Sequence, residues 1–62
     1  MTTIAENIAN AARINAYQIC QAYGIKTSGN SRLDMMNVPA FNAAYRKEYN
    51  RIMADYINSE KA

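Results

Sequence analysis

Two acidic side chains have a spacing that could support acid–base chemistry. Glu48 and Asp55 are seven residues apart, so a helix would place them on one face. Paired carboxylates on one face can serve as general acid and general base. Lys47, Arg51 and Asn58 accompany them, however, and mixed charges at this spacing are typical of a solvated helix surface. We therefore interpret Glu48 and Asp55 as surface residues and not as a catalytic pair.

The composition lacks the residue type on which most hydrolytic mechanisms depend. The sequence has no histidine, which is the commonest general base and the commonest zinc ligand. Cys20 is the single cysteine, so an intrachain disulfide cannot form and a thiolate-rich metal site is excluded. Glycine occurs only at positions 24 and 29, outside any phosphate-binding pattern. We therefore expect no enzymatic activity, no cofactor, no metal and no small-molecule substrate.

A cluster of basic residues could instead contact phosphate groups. Arg46, Lys47 and Arg51 lie close together in the sequence, and Lys26 and Arg32 could add to them. Such a cluster would bind nucleic acid weakly, without sequence preference and in a salt-sensitive way. The formal net charge of +2 is small for a dedicated nucleic-acid binder. A nucleic-acid-binding accessory role is therefore the alternative function.

The aromatic residues have two interpretations. The five tyrosines could stack on single-stranded nucleic acid. Tyr45, Tyr49 and Tyr56, however, lie at the spacing of one helix face, where phenol rings fill a core and hydroxyls reach its rim. We favour a core or dimer-interface role for this aromatic face. Its members are Phe41, Tyr45, Tyr49, Ile52, Met53 and Tyr56.

A first helix is predicted over residues 4–23. Thr3 and Glu6 have the spacing of a capping box, in which each side chain binds the backbone N–H of the other residue. Apolar residues follow at steps of four and three, and Gly24 supplies the left-handed stop common at helix ends. The predicted apolar stripe comprises Ala5, Ala9, Ala12, Ala16, Ile19 and Tyr23, with Ile4 and Ile8 beside it.

A connector over residues 24–38 and a second helix over residues 39–58 complete a single domain of residues 1–62. Residues 27–31 are all turn formers. Ser31 and Asp34 resemble a weaker capping arrangement, which favours one helical turn over residues 32–36. Pro39 suits the first turn of the second helix. The prediction is an all-α antiparallel helical hairpin whose open end is closed by Leu33, Met35 and Met36.

The predicted hairpin leaves part of its apolar surface uncovered. Chains of this size bury only about 60% of their unfolded surface and commonly need a disulfide, a metal or a partner subunit. The alanine-rich first helix can receive the aromatic face, but it covers that face on one side only. Self-association is the stabilising device that the composition permits. We therefore predict that two hairpins pair into a homodimeric helical bundle.

A second surface is the candidate site for a partner protein. Arg13, Ile14 and Tyr17 fall on the polar side of the first helix, where exposed apolar residues invite contact with another protein. Scattered apolar residues are also normal on monomers, so the alternative is that these residues have no binding role.

Polar residues interrupt every apolar run and the N-terminal residues include no basic leader. We therefore expect no signal peptide, no membrane association and a cytoplasmic location.

Two segments of the chain resemble a known group of phage proteins. TTIAENIANAARINAYQIC and NVPAFNAAYRKEYNRIMADYI are similar to the small proteins encoded in the exo-xis region of lambdoid bacteriophages. The resemblance covers most of the chain and assigns no catalytic or binding residue. It implies an early phage protein of the bacterial host cytoplasm that modulates the lysis–lysogeny decision, prophage induction or takeover of the host. A host or phage macromolecule would be its partner.

Overall fold

A computed structural model describes residues 3–61, and this part of the chain is helical without strands. The helices are α1, Ile4–Ala22, α2, Ser31–Asn37, and α3, Pro39–Lys61. The predicted all-α class is thus confirmed, although α3 runs past the predicted end at Asn58 and α2 is longer than the predicted single turn. No helix within residues 3–61 combines the length and the apolar character needed to cross a membrane.

Local hydrogen bonds fix both ends of α1. The Thr3 hydroxyl accepts from the backbone N–H of Glu6 at 3.1 Å, which satisfies one of the donors at the helix start. At the other end, Gly24 has a φ of 71° and donates to Gln21, while Ile25 donates to the Cys20 carbonyl at 2.8 Å. These two bonds form a Schellman motif, for which a left-handed glycine is the favoured residue.

Asn30, and not Ser31, caps α2. The Asn30 Oδ1 accepts from the backbone N–H groups of Arg32 at 3.1 Å and Leu33 at 3.3 Å. The helix ends at Asn37, and the C-cap residue Val38 has the extended backbone favoured by a residue that precedes proline. Pro39 then opens α3, so only one residue separates α2 from α3. The predicted cap at Ser31 and Asp34 is wrong, because Asn30 takes the capping position and Asp34 turns inward.

The core lies between α1 and α3. The centroids of the Tyr17 and Phe41 rings are 4.5 Å apart, which brings the second half of α1 close to the start of α3. At the opposite end of the helix pair, Ile4 and Ser59 line the same groove. The beginning of α1 therefore lies beside the end of α3. Seven residues of the described chain are buried, and six of them are apolar. The apolar six are Ile8, Ala12, Ala16 and Cys20 of α1 with Phe41 and Ala44 of α3.

The buried stripe of α1 differs from the predicted one. Burial advances in steps of four, from Ile8 through Ala12 and Ala16 to Cys20, whereas the prediction alternated steps of four and three. Residues that are four apart form a ridge that winds slowly around the helix, and such a ridge packs against a neighbouring helix. Tyr23 consequently lies outside the contact and is 79% exposed, while the Cys20 thiol is buried at 1% exposure.

Candidate interaction surfaces

Tyr17 lies beneath α2 and not on an open surface. Its ring packs against Phe41, and its hydroxyl donates to Asp34 Oδ2 at 2.7 Å. The prediction that Tyr17 belongs to an exposed partner surface is therefore wrong. The physical reason is that Asp34 of α2 and Phe41 of α3 contact Tyr17, and helical spacing within α1 carries no information about these partners. Arg13 and Ile14 do remain accessible, with Ile14 52% exposed.

Asp34 is a buried carboxylate with donors on both oxygens. It is 1% exposed, and its Oδ1 accepts from the backbone N–H and the hydroxyl of Ser28, each at 2.8 Å. Burial alone would raise the pKa of the Asp34 carboxyl, but the backbone N–H of Ser28 and the Tyr17 and Ser28 hydroxyls hold it below its ordinary value. The carboxylate cluster of Tyr17, Ser28 and Asp34 thus stabilises the charged form.

The Tyr17 hydroxyl is held in its protonated form. Burial, followed by the hydrogen bond to Asp34 and the negative charge of that carboxylate, raises the pKa of Tyr17 to about 12. A hydroxyl with this pKa stays protonated near neutral pH and remains a hydrogen-bond donor. The described residues include no group of three or more carboxylate or thiol side chains placed to hold a metal ion. The hydrogen bonds of the carboxylate cluster connect α1, the segment before α2 and α2 itself.

Glu48 contacts α1, whereas the sequence predicted that it lies on a solvated surface. Its side chain is 13% exposed, and its Oε1 accepts from Asn15 Nδ2 at 3.0 Å and from the Arg51 guanidinium at 2.8 Å. The bond to Arg51, which outweighs the effect of burial, lowers the pKa of Glu48. The prediction failed because Asn15 reaches Glu48 from another helix. Asp55 is at the surface as predicted, with 71% of its side chain exposed.

The predicted basic cluster is divided between different environments. Arg51 forms ion pairs with Glu48 at 2.8 Å and with Asp55 at 3.6 Å, so carboxylates neutralise much of its charge. Arg46 and Lys47 are exposed. Arg46 lines a groove together with Tyr45 and Tyr49 of α3, whereas Lys47 does not line it. The structure therefore does not bring the three basic side chains together as one uncompensated cluster.

The aromatic face is only partly covered by α1. Phe41 is fully buried, whereas the other five members are half-buried. The rings form a continuous row, with centroids 6.4 Å apart between Phe41 and Tyr45 and 6.1 Å apart between Tyr45 and Tyr49. The last two rings are stacked with 24° between their planes. Phe41 therefore belongs to the core, and the row becomes more open toward Tyr49.

The surface of the described residues includes three grooves. The tyrosine groove, of about 620 Å³, is lined by Ala9, Tyr45, Arg46, Tyr49 and Asn50. The methionine groove, of about 390 Å³, is lined by Ser31, Arg32, Met35, Met36 and Tyr45. The isoleucine groove, of about 530 Å³, is lined by Ile4, Asn7, Ile8, Ala11, Ile52, Asp55, Tyr56 and Ser59. The first two grooves meet at Tyr45, and the third lies where α1 begins and α3 ends.

The methionine groove was not anticipated from the sequence. Leu33 and Met36, predicted to close the end of the hairpin, are 46% and 75% exposed, and only Met35 packs against the core. Burial of Asp34 instead of its apolar neighbours turns these side chains outward. Asn30 before a short apolar segment is the signal that could have revealed α2, because asparagine is a preferred N-cap residue.

Comparisons with protein-family models, with curated proteins and with solved structures gave no match. The function is therefore inferred from the surfaces of the molecule.

Proposed function

We propose that this chain is a small non-enzymatic interaction protein of a lambdoid phage. Two helical hairpins pair into a homodimeric bundle, and the dimer modulates phage development by binding a host or phage macromolecule in the bacterial cytoplasm. The observation that carries the pairing is the amount of surface that a single chain leaves uncovered. The phage setting is supported by the resemblance of the two helical segments to exo-xis region proteins.

A single chain is more open than a compact domain of its size. It exposes 4686 Å², whereas a folded monomer of 7.0 kDa is expected to expose about 4,000 Å². Its radius of gyration is 12.4 Å, against roughly 10.6 Å expected for 62 residues. The surplus of about 650 Å² approaches the ~800 Å² that each partner contributes to a standard interface. A second copy of the chain would cover a surface of this size.

The isoleucine groove is the surface best suited to this pairing. Among its lining residues, Ile4 is 49% exposed, and Ile52 and Tyr56 are half-buried. Asn7 and Asp55 add polar groups to this mainly apolar lining, and protein interfaces likewise combine apolar and polar groups. A twofold axis would place Ile4 of each copy against the groove of the other. Removing Ile4 from water would contribute about 1 kcal/mol per copy.

The target would meet the dimer on the outer side of α1. Arg13 and Ile14 are exposed there and do not line the isoleucine groove. Pairing therefore leaves this outer surface accessible. It also presents the surface twice, so a target with two equivalent positions would bind with increased avidity.

The pairing is tested by light scattering after size separation, over a dilution series. We expect a mass of twice 7.0 kDa for the natural chain. Ile4→Asp should yield monomers because it places a charge in the interface, while an acidic residue in the first turn of α1 favours the helix. Ile14→Asp is the matched control, since Ile14 has 52% exposure against 49% for Ile4 and lies outside the groove. Circular dichroism verifies that both variants keep their helices.

A mass of 7.0 kDa at every concentration would contradict the pairing. Monomers produced by Ile14→Asp and not by Ile4→Asp would move the pairing surface to the outer side of α1. The regulatory role is tested separately, by expressing each variant in a lysogenic host and measuring the phage yield after induction. Ile14→Asp should remain dimeric but lose its effect on that yield. An unchanged effect would remove Ile14 from the target surface.

A further inference from the structure

The surroundings of Tyr45 differ chemically from the isoleucine groove. Tyr45 lies where the tyrosine and methionine grooves meet, with Arg46 in the first lining and Arg32 in the second. Neither lining contains a carboxylate, whereas Asp55 lines the isoleucine groove. Each groove thus combines an arginine with aromatic side chains, and the methionine groove adds the apolar side chains of Met35 and Met36, so the two grooves suit a ligand that carries negative charge and flat rings.

The two arginines keep their charge available for a ligand. Within residues 3–61, both ion pairs are formed by Arg51, and neither Arg32 nor Arg46 takes part in one. Arg32 and Arg46 are exposed, and each reaches a groove that Tyr45 also lines. A guanidinium group binds phosphate oxygens with paired donors, which gives such contacts direction as well as attraction.

The tyrosines supply a stacking surface between these charges. Tyr45 and Tyr49 are half-buried and have nearly parallel rings 6.1 Å apart. Aromatic side chains of this kind hold the bases of single strands, whereas bases in a duplex are stacked on one another and inaccessible to them. The groove volumes of about 620 and 390 Å³ fall within the usual range for sites that bind small ligands.

We propose that the joined tyrosine and methionine grooves bind single-stranded nucleic acid. Arg32 and Arg46 contact backbone phosphates, while Tyr45 and Tyr49 receive bases by stacking. Stacking accepts every base, so the site tolerates many sequences. The site deepens the proposed function by naming one macromolecular partner, and its residues do not line the groove assigned to pairing.

Fluorescence anisotropy with a labelled oligothymidine tests the site across a range of salt concentrations. Arg46→Gln should weaken binding and reduce the slope of log affinity against log salt by about 0.7, the value for one lost phosphate contact on a single strand. Arg32→Gln should do the same. Lys47→Gln is the matched control, because it removes the same charge from the next residue of α3, outside both grooves. It should leave affinity within about twofold of the natural chain.

The stacking role is tested at Tyr49, which lies further from the buried Phe41 than Tyr45 does. Tyr49→Leu should weaken oligothymidine binding by about fivefold or more, and Tyr49→Phe should retain it because the ring remains. Circular dichroism of each variant separates loss of the site from loss of the fold. A duplex of the same length should bind more weakly than the single strand, because its bases cannot reach the tyrosines.

Several results would overturn the site. These are no binding by the folded natural chain at low salt, equal losses from Lys47→Gln and Arg46→Gln, or duplex binding as tight as that of the single strand. Binding of an acidic peptide that Tyr49→Leu leaves unchanged, without oligothymidine binding, would assign the grooves to a protein ligand instead. Light scattering on the same samples reports pairing independently. A dimer that fails to bind oligothymidine contradicts the site alone, whereas a monomer that binds it contradicts the pairing alone.

Discussion

The Tyr17 hydroxyl donates to Asp34 Oδ2 at 2.7 Å and thereby joins the fourth turn of α1 to the middle of α2. The same carboxylate accepts from the backbone and the hydroxyl of Ser28, so one side chain connects α1, the connector and α2. Removing a donor from a buried carboxylate leaves charge that neither water nor protein satisfies. The position of α2, and with it the methionine groove, therefore depends on these bonds.

Removal of the Tyr17 hydroxyl tests this connection. Tyr17→Phe should destabilise the fold by about 1 kcal/mol, because the ring still packs on Phe41 while Asp34 loses a donor. In a chain of this size, that loss corresponds to a melting temperature lower by about 4–8 °C. Thermal unfolding followed by circular dichroism measures the change. Tyr23→Phe is the control, because Tyr23 belongs to the same segment but is 79% exposed, and equal effects from both variants would contradict the connection.

The stability of the fold should fall in acid because of Asp34. The folded-state pKa of this carboxyl lies below its ordinary value of 3.8, so folding favours the charged form. The stabilisation is present above pH 3.8 and is lost as the pH falls through the folded-state pKa. Urea unfolding at a series of pH values should show that the free energy of unfolding falls less in acid for Asp34→Asn than for the natural chain. Asp55→Asn, at a position whose side chain is 71% exposed, should retain the natural profile.

Alkaline unfolding should depend on Tyr17. Its pKa of about 12 in the folded chain exceeds the ordinary value of 10.0, so folding favours the protonated hydroxyl. This contribution is complete below pH 10.0 and is lost as the pH rises through about 12. Ultraviolet titration of phenolate should detect a group titrating near pH 12 that Tyr17→Phe removes. Tyr56 also has a raised pKa, through burial and the nearby Glu60, so Tyr56→Phe is the necessary comparison.

Gly24 should be sensitive to substitution for conformational reasons alone. Its φ is 71°, and an added Cβ would meet no atom within 4 Å. Gly24→Ala should therefore cost about 1–2 kcal/mol, the penalty for a left-handed residue with a side chain. Gly24→Asn should cost less, because asparagine tolerates this conformation. Equal melting temperatures for the alanine variant and the natural chain would show that the end of α1 can rearrange without loss.

Local signals allowed much of the fold to be predicted from the sequence. The Thr3 cap, the stop at Gly24 and the start at Pro39 each depend on residues within a few positions, and each occurs at the expected place. The all-α class follows from such signals together with helical spacing.

The errors share a physical origin in contacts between distant residues. Tyr17 and Glu48 were both assigned to open surfaces from their positions on a single helix. Each is partly covered because a polar partner reaches it from another element, Asp34 for the first and Asn15 for the second. Periodicity within one helix cannot predict such partners. The candidate grooves were missed for the same reason, since each depends on how neighbouring helices diverge.

The rate at which the buried Cys20 thiol is chemically modified can be used to measure how often the core opens. At 1% exposure, the sulfur can meet a dissolved thiol reagent only when α1 and α3 separate around it. The rate of its chemical labelling therefore counts openings of the core. Since Cys20 is the only cysteine, every modification event comes from the same position. The natural chain thus needs no added probe to report its opening, and any ligand that holds α1 and α3 together will slow the modification of Cys20.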